Sequence, residues 1–148
     1  MKPPLSVFVP GTPVAQPRPR AVIRGRHAGV YDPGTADKWK SQIRKVVTDA
    51  TGGTEPFPGP VRLSLTFYMP RPKSHYRTNG MLKPSAPAFN LTRPDLDNTA
   101  KATMDALTTA QVWNDDAQVC TLIVRRRWAD GQPGCQVTIR EDELPHAA

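Results

Sequence analysis

The chain of 148 residues carries 20 Lys plus Arg against 13 Asp plus Glu, a formal charge of +7, with two cysteines. That length serves one hydrophobic core rather than two, and the charge favours polyanionic partners, nucleic acid first among them. Nowhere do about 18 apolar residues follow one another, and the opening MKPPLSVFVPG has no apolar leader core, so a soluble, cytoplasmic protein with no membrane segment is expected.

The β-rich LSVFV at 5–9 predicts a first strand. A Pro/Arg segment over about 10–34 follows, held partly extended by its prolines, with a short hairpin possible around Gly25,. From Thr35 to Thr51 the apolar residues Trp39, Ile43, Val46, Val47 and Ala50 recur at helical spacing, and Gly52-Gly53 ends the run,. VRLSLTFYM, 61–69, alternates Val61, Leu63, Leu65, Phe67 and Met69 against Arg62, Ser64, Thr66 and Tyr68, the period of a strand with one wet face,. The next stretch, about 70–92, is turn-rich and cationic, without periodicity, and is expected either to be disordered or to order on a partner,. A helix from just after Pro94 to about Thr109, a strand from Val119 to Trp128, a turn at ADGQPG and a last strand CQVTIRE complete the pattern, with a short tail at 142–148,. The expected fold is α+β: one domain over 1–148, a mixed sheet flanked by two helices. Cys120 and Cys135, in strand-like segments with no CxxC and no His at a zinc spacing, read as reduced packing residues,.

The second helix concentrates the acids. Leu96, Ala100, Thr103, Met104 and Leu107 fall on one side at 3.6 residues per turn and are expected to be buried; Asp97, Lys101 and Asp105 run along the flank,. Asp95, Asp97 and Asn98 admit a capping reading, because short acceptors satisfy the orphan N–H groups of a first turn. Capping needs one acid, whereas Asp95, Asp97, Asp115 and Asp116 together would repel one another unless a cation or proton lay between them. Oxygen ligands of this kind suit Mg²⁺, whose remaining positions go to water and phosphate, and the chemistry that fits is phosphodiester hydrolysis. Lys101 has two readings, a charge stabiliser for the reacting phosphate or a helical ion pair with Asp97.

RPDLDNTAKATMDALTTAQVWNDDAQV, 93–119, resembles the signature of the RusA family of Holliday junction resolvases: D-L-D-N, a Lys four after the second Asp, D-A-L, then W-x-D-D-A-Q-V. The order of elements and the segment RPKSHYRTNGMLKPSAP also resemble the longer, phage-type members, so the likeness spans about 4–141. It implies that Asp95, Asp97 and Asp116 bind Mg²⁺, with Mn²⁺ as a possible substitute, and that Lys101 is the catalytic lysine; the part of Asp115 it leaves open. It further implies a homodimer in the bacterial host cytosol that makes paired nicks in a branched DNA, the four-way junction, in recombination and repair. The longer segments at 10–35 and 70–92 depart from the shortest members and bear on substrate preference.

Arg18, Arg20, Arg24 and Arg26 in the first basic segment, and Arg71, Lys73, Arg77 and Lys83 in the second, are read as DNA-backbone contacts, the alternative being solvated surface. Arg125, Arg126 and Arg127 share a strand, so neighbours point oppositely and at most two can face DNA. Trp113 reads as a core or interface anchor, with base stacking as the other option. His27, His75 and His146 are too scattered for a metal site. Two rivals remain open beside a junction-cutting enzyme: a non-catalytic nucleic-acid-binding module, which leaves the grouped acids unexplained, and a restriction-type nuclease, which wants an acid-x-Lys that the strand from Val119 lacks. A branched-DNA nuclease preferring flaps or forks shares the same residues.

Overall fold

Strict alternation makes residues 61–69 the middle of the sheet. In the computed structural model, which describes residues 1–17, 20–25, 27–31 and 34–144 and gives 20–24 and 27–31 by backbone alone, the strands in chain order are β1 (Leu5–Pro10), β2 (Arg20–Arg24), β3 (His27–Tyr31), β4 (Val61–Met69), β5 (Val119–Trp128) and β6 (Gly134–Glu141). The helices are α1 (Asp37–Thr51) and α2 (Leu96–Thr109). The main sheet has the order β1-β6-β4-β5, with β4 and β5 parallel and the other pairs antiparallel; β2 and β3 form a separate hairpin turning at Gly25. It is the α+β arrangement expected, a mixed sheet with two helices. No helix among the described residues is long and apolar enough to cross a membrane.

Odd residues of β4, from Val61 to Met69, meet Cys135, Val137 and Ile139 of β6 and Val9 of β1 on one face, and all are buried. On that face sit α1, through Trp39, Ile43 and Val47, and α2. The stripe of α1 is narrower than its sequence suggests: Val46 is half-buried and Ala50 exposed. The helix stops where Gly52 turns left-handed (φ 59°), as its glycine pair predicts,. Cys135 packs in the core, where burial pushes its thiol up to about 12; Cys120, by contrast, is exposed on the edge strand β5 and does no packing.

Parallel pairing of β4 with β5 requires a long crossover, and this one carries both the basic segment and α2. The segment 70–92 forms neither a named strand nor an α-helix. It folds on itself around a 3-10 turn at Lys73–His75, with Arg77 N donating to Met81 O at 2.7 Å and Lys83 N to His75 O at 2.9 Å. Gly134, opposite Pro10 in the β1–β6 register, is buried, and a Cβ there would strike the Val9 carbonyl oxygen. Gly134→Ala is therefore expected to lower stability by about 1–3 kcal/mol, since backbone rather than a flexible side chain would have to give way; a urea midpoint equal to that of the unaltered chain would show that β1 shifts freely.

Candidate active site

Asp95 stands at the N-cap position before α2, and its backbone carbonyl accepts from Thr99 N at 3.1 Å and from Thr99 Oγ1 at 2.9 Å. Its carboxylate makes no capping bond, so the capping reading does not account for Asp95. The buried side of α2 is rotated from the expected one: Thr99, Ala100, Ala102, Thr103, Ala106 and Leu107 are buried, whereas Leu96 and Met104 are only partly covered. On that buried side Trp39 Nε1 of α1 donates to Thr103 Oγ1 at 3.3 Å, and Thr103 Oγ1 in turn donates to Thr99 O at 3.1 Å. Two threonines thereby serve the buried seam, and Asp97 and Lys101, on the flank as expected, are exposed.

The second acidic pair sits in the turn before β5, and its two members do different work. Asp115 Oδ1 accepts from Ala117 N at 2.8 Å, while Gln118 Oε1 accepts from Asp115 N at 3.1 Å, a reciprocal cap on the 3-10 turn Asp116–Gln118,. Gln118 Nε2 also donates to Phe57 O and Gly59 O, both at 2.8 Å, and Trp113, a core residue, bridges to Phe57. Asp115 is thus spent on local structure and Asp116 is left outward. The D-x-x-Q spacing that signals this cap lies within NDDAQ, and the sequence reading passed over it.

Asp97, Lys101, Asp105 and Asp116 line one open depression, with Leu122 and Val124 of β5 among its apolar residues. Asp105 is held by Lys40 of α1 at 3.7 Å. Lys101 takes part in no ion pair within 4.0 Å among the described residues, so the helical pair with Asp97 is not formed. Asp116 is raised from the ordinary carboxylate value, by desolvation first and then by the hydrogen bond and charge of Asp115 and the charge of Asp105. The side chain is exposed. Asp95 does not line this depression; it opens onto a separate one with Ala15, Arg93 and Asn98. Alongside it runs the segment leading into the β2–β3 hairpin, fixed by Gln16 N donating to Asn98 O at 2.9 Å.

Among the described residues no three His, Cys, Asp or Glu side chains are grouped as a ready cage for a metal. The donors facing the depression are nonetheless all oxygen and mutually repulsive, which suits in kind a hard cation that takes its other oxygens from water and phosphate.

Of the expected DNA contacts, Lys73, Arg77 and Lys83 are exposed. Arg71 is half-buried: Nη1 donates to Pro87 O at 2.9 Å and the guanidinium lies 5.1 Å from the centre of the Trp128 ring. Arg20 and Arg24 lie on β2, at backbone level only, and Arg18 and Arg26 lie outside the described residues, as does His146. Arg126 faces inward and bonds carbonyls of the crossover, a role no local pattern announced.

Two comparisons bear on this arrangement. The family model described as Endodeoxyribonuclease RusA matches residues 10–140. The uncharacterized protein YqaN of Bacillus subtilis (strain 168) is 33% identical over 139 residues, covering 88% of this chain and 92% of that protein.

Proposed function

Because the chain belongs to the RusA family of endodeoxyribonucleases, and is therefore a nuclease acting on branched DNA, we propose that it resolves four-way junctions by Mg²⁺-dependent hydrolysis at the depression formed by α2, the 114–118 turn and β5. One observation carries this reading. Asp97 and Asp116, 19 positions apart, open onto the same depression as Lys101, an exposed lysine with no ion-pair partner there.

Asp97 and Asp116 would hold the cation, with Asp95 at the same helix end as the third carboxylate. Bound there, Mg²⁺ supplies positive charge against the scissile phosphate and favours its attack by water. In the hydrolysis an oxygen of water bonds to phosphorus, one P–O ester bond breaks, and the leaving oxygen takes up a proton. Lys101 stabilises the extra negative charge that builds on the phosphoryl oxygens as the bond order changes. The basic segments on either side track the backbone without reading sequence.

Paired cuts in strands related by near two-fold symmetry call for matched sites at a fixed separation, so the active form is proposed to be a homodimer. Cleavage mapping on a mobile four-way junction, against linear duplex of the same sequence, tests the substrate. Symmetric nicks near the crossover of the junction, and an intact duplex, are expected in Mg²⁺. Equal cutting of the duplex would exclude junction resolution, and sedimentation showing only monomer with and without junction would exclude the paired mechanism.

A further inference from the structure

Strand β5 turns Leu122, Val124, Arg126 and Trp128 toward the helices, in register with Leu63, Leu65, Phe67 and Met69 of β4,. The first two lie against the acidic depression. Arg126, next on that face, sends its guanidinium into the crossover: Nη2 donates to Asn90 O at 2.8 Å, and Nη1 to Thr92 O at 3.0 Å and to Pro94 O. Among the described residues no carboxylate lies within 4.0 Å of it. The segment it grips is wound locally as well, since the Oδ1 of buried Asn90 accepts from Thr92 N at 3.0 Å and from Thr92 Oγ1 at 2.7 Å. Irregular chain of this kind has no ladder to define its path, and here one planar cation takes up three of its carbonyls. The residue after Pro94 is Asp95, at the N-cap position before α2.

We propose that Arg126 is a positioning residue for the nuclease reaction: by clamping 90–94 to the strand that borders the depression, it sets where Asp95 and Asp97 stand relative to Asp116. The inference rests on the function proposed above. Its physical content is that α2 and the 114–118 turn belong to different parts of the crossover, so their acids need a common reference, and β5 is the element both adjoin. A guanidinium is suited to the task because its fork reaches several acceptors at fixed angles, which a lysine ammonium does not.

The test compares Arg126→Gln and Arg126→Lys with the unaltered chain and with Arg44→Gln, an equal loss of charge on α1. At saturating junction DNA, Arg126→Gln is expected to lower kcat about 10- to 100-fold and to raise the Mg²⁺ concentration giving half-maximal rate by a similar factor, as loss of a group that orients metal ligands does. Junction affinity in EDTA and KM should stay as they are. Amide exchange should quicken over 90–99 and remain unchanged over 61–69. Arg126→Lys should recover only part of the rate, and Arg44→Gln should match the unaltered chain in every respect. Wild-type kcat and Mg²⁺ dependence in Arg126→Gln would overturn the proposal. If that variant fails to fold, Arg126→Lys decides: a lowered kcat at normal melting temperature supports positioning, whereas wild-type rates, or unfolding of both variants, reduce Arg126 to a residue of the fold. An unaltered chain that cuts no junction defeats the functional reading instead, and the exchange measurement still reports on the clamp.

Discussion

Asp95→Asn, Asp97→Asn and Asp116→Asn are each expected to bind a four-way junction and leave it uncut. Asparagine keeps the size and much of the hydrogen bonding of aspartate but lacks the charge that a hard cation requires. The loss of a ligand should slow hydrolysis by about a thousandfold or more, the equivalent of ~4 kcal/mol of transition-state stabilisation. Binding should survive because the proposed contacts to DNA come from cations elsewhere, and without metal it should tighten slightly as a carboxylate facing phosphate is removed. Asp116→Asn carries a further expectation for stability. Its carboxyl is raised in the fold, led by desolvation and followed by Asp115 and Asp105, so the fold favours the protonated form. That contribution is present below the unfolded carboxylate value of about 4 and is lost as pH rises through the folded one. At neutral pH and without Mg²⁺ the asparagine variant should therefore melt at or above the temperature of the unaltered chain, with the advantage vanishing toward pH 4. Gel shift, cleavage and melting on the three variants decide the matter, and full cleavage by any one removes that residue from the site.

Junction affinity is expected to fall steeply with salt, and removal of Lys73, Arg77 and Lys83 should flatten the dependence by about one unit of log–log slope for each phosphate no longer neutralised. Neutralisation of about six to ten phosphates by the proposed dimer would mean that affinity drops by about 10³–10⁵ between 50 and 200 mM salt. These three side chains are exposed on the folded segment 70–92 and have no carboxylate partner among the described residues, so their charge is available to phosphate. Arg71→Ala should behave differently. Its guanidinium already serves Pro87 O and the Trp128 ring, and its loss should lower melting temperature more than it changes the salt slope. Titrations at four or five salt concentrations separate the cases; an unchanged slope in the triple alanine variant would mean that this segment is solvated surface only.

How far the site can be read from sequence depends on how local each interaction is. The strands at 61–69 and 119–128 and the helix ending at Gly52 follow from alternation, 3.6-residue spacing and a glycine pair, all decided by neighbours in the chain. The run from Arg93 to Val119 identified the family for the same reason, because its acids and lysine keep fixed spacings along one helix and one turn. The glutamine three residues after Asp115 distinguishes it locally from Asp116 as the capping residue; that Gln118 is also anchored to Phe57 and Gly59 emerges only when the chain has come back to them. Helical periodicity places Ala100, Thr103 and Leu107 inward and Asp97 and Lys101 on the flank, as found, but it also places Leu96 and Met104 inward, where the structure covers them only partly; that Thr103 accepts from the Trp39 N–H of α1 is a contact between separate elements that no spacing along the chain announces. Arg126 bonds to carbonyls 32 to 36 residues earlier, across a crossover that exists because β4 and β5 run parallel. Sequence by itself determined which groups can do the chemistry, since side-chain identity and short spacing are properties of the chain. Tertiary structure decided which of them meet, because a buried donor accepts whatever partner the packing of separate elements brings to it, and no spacing along the chain encodes that partner.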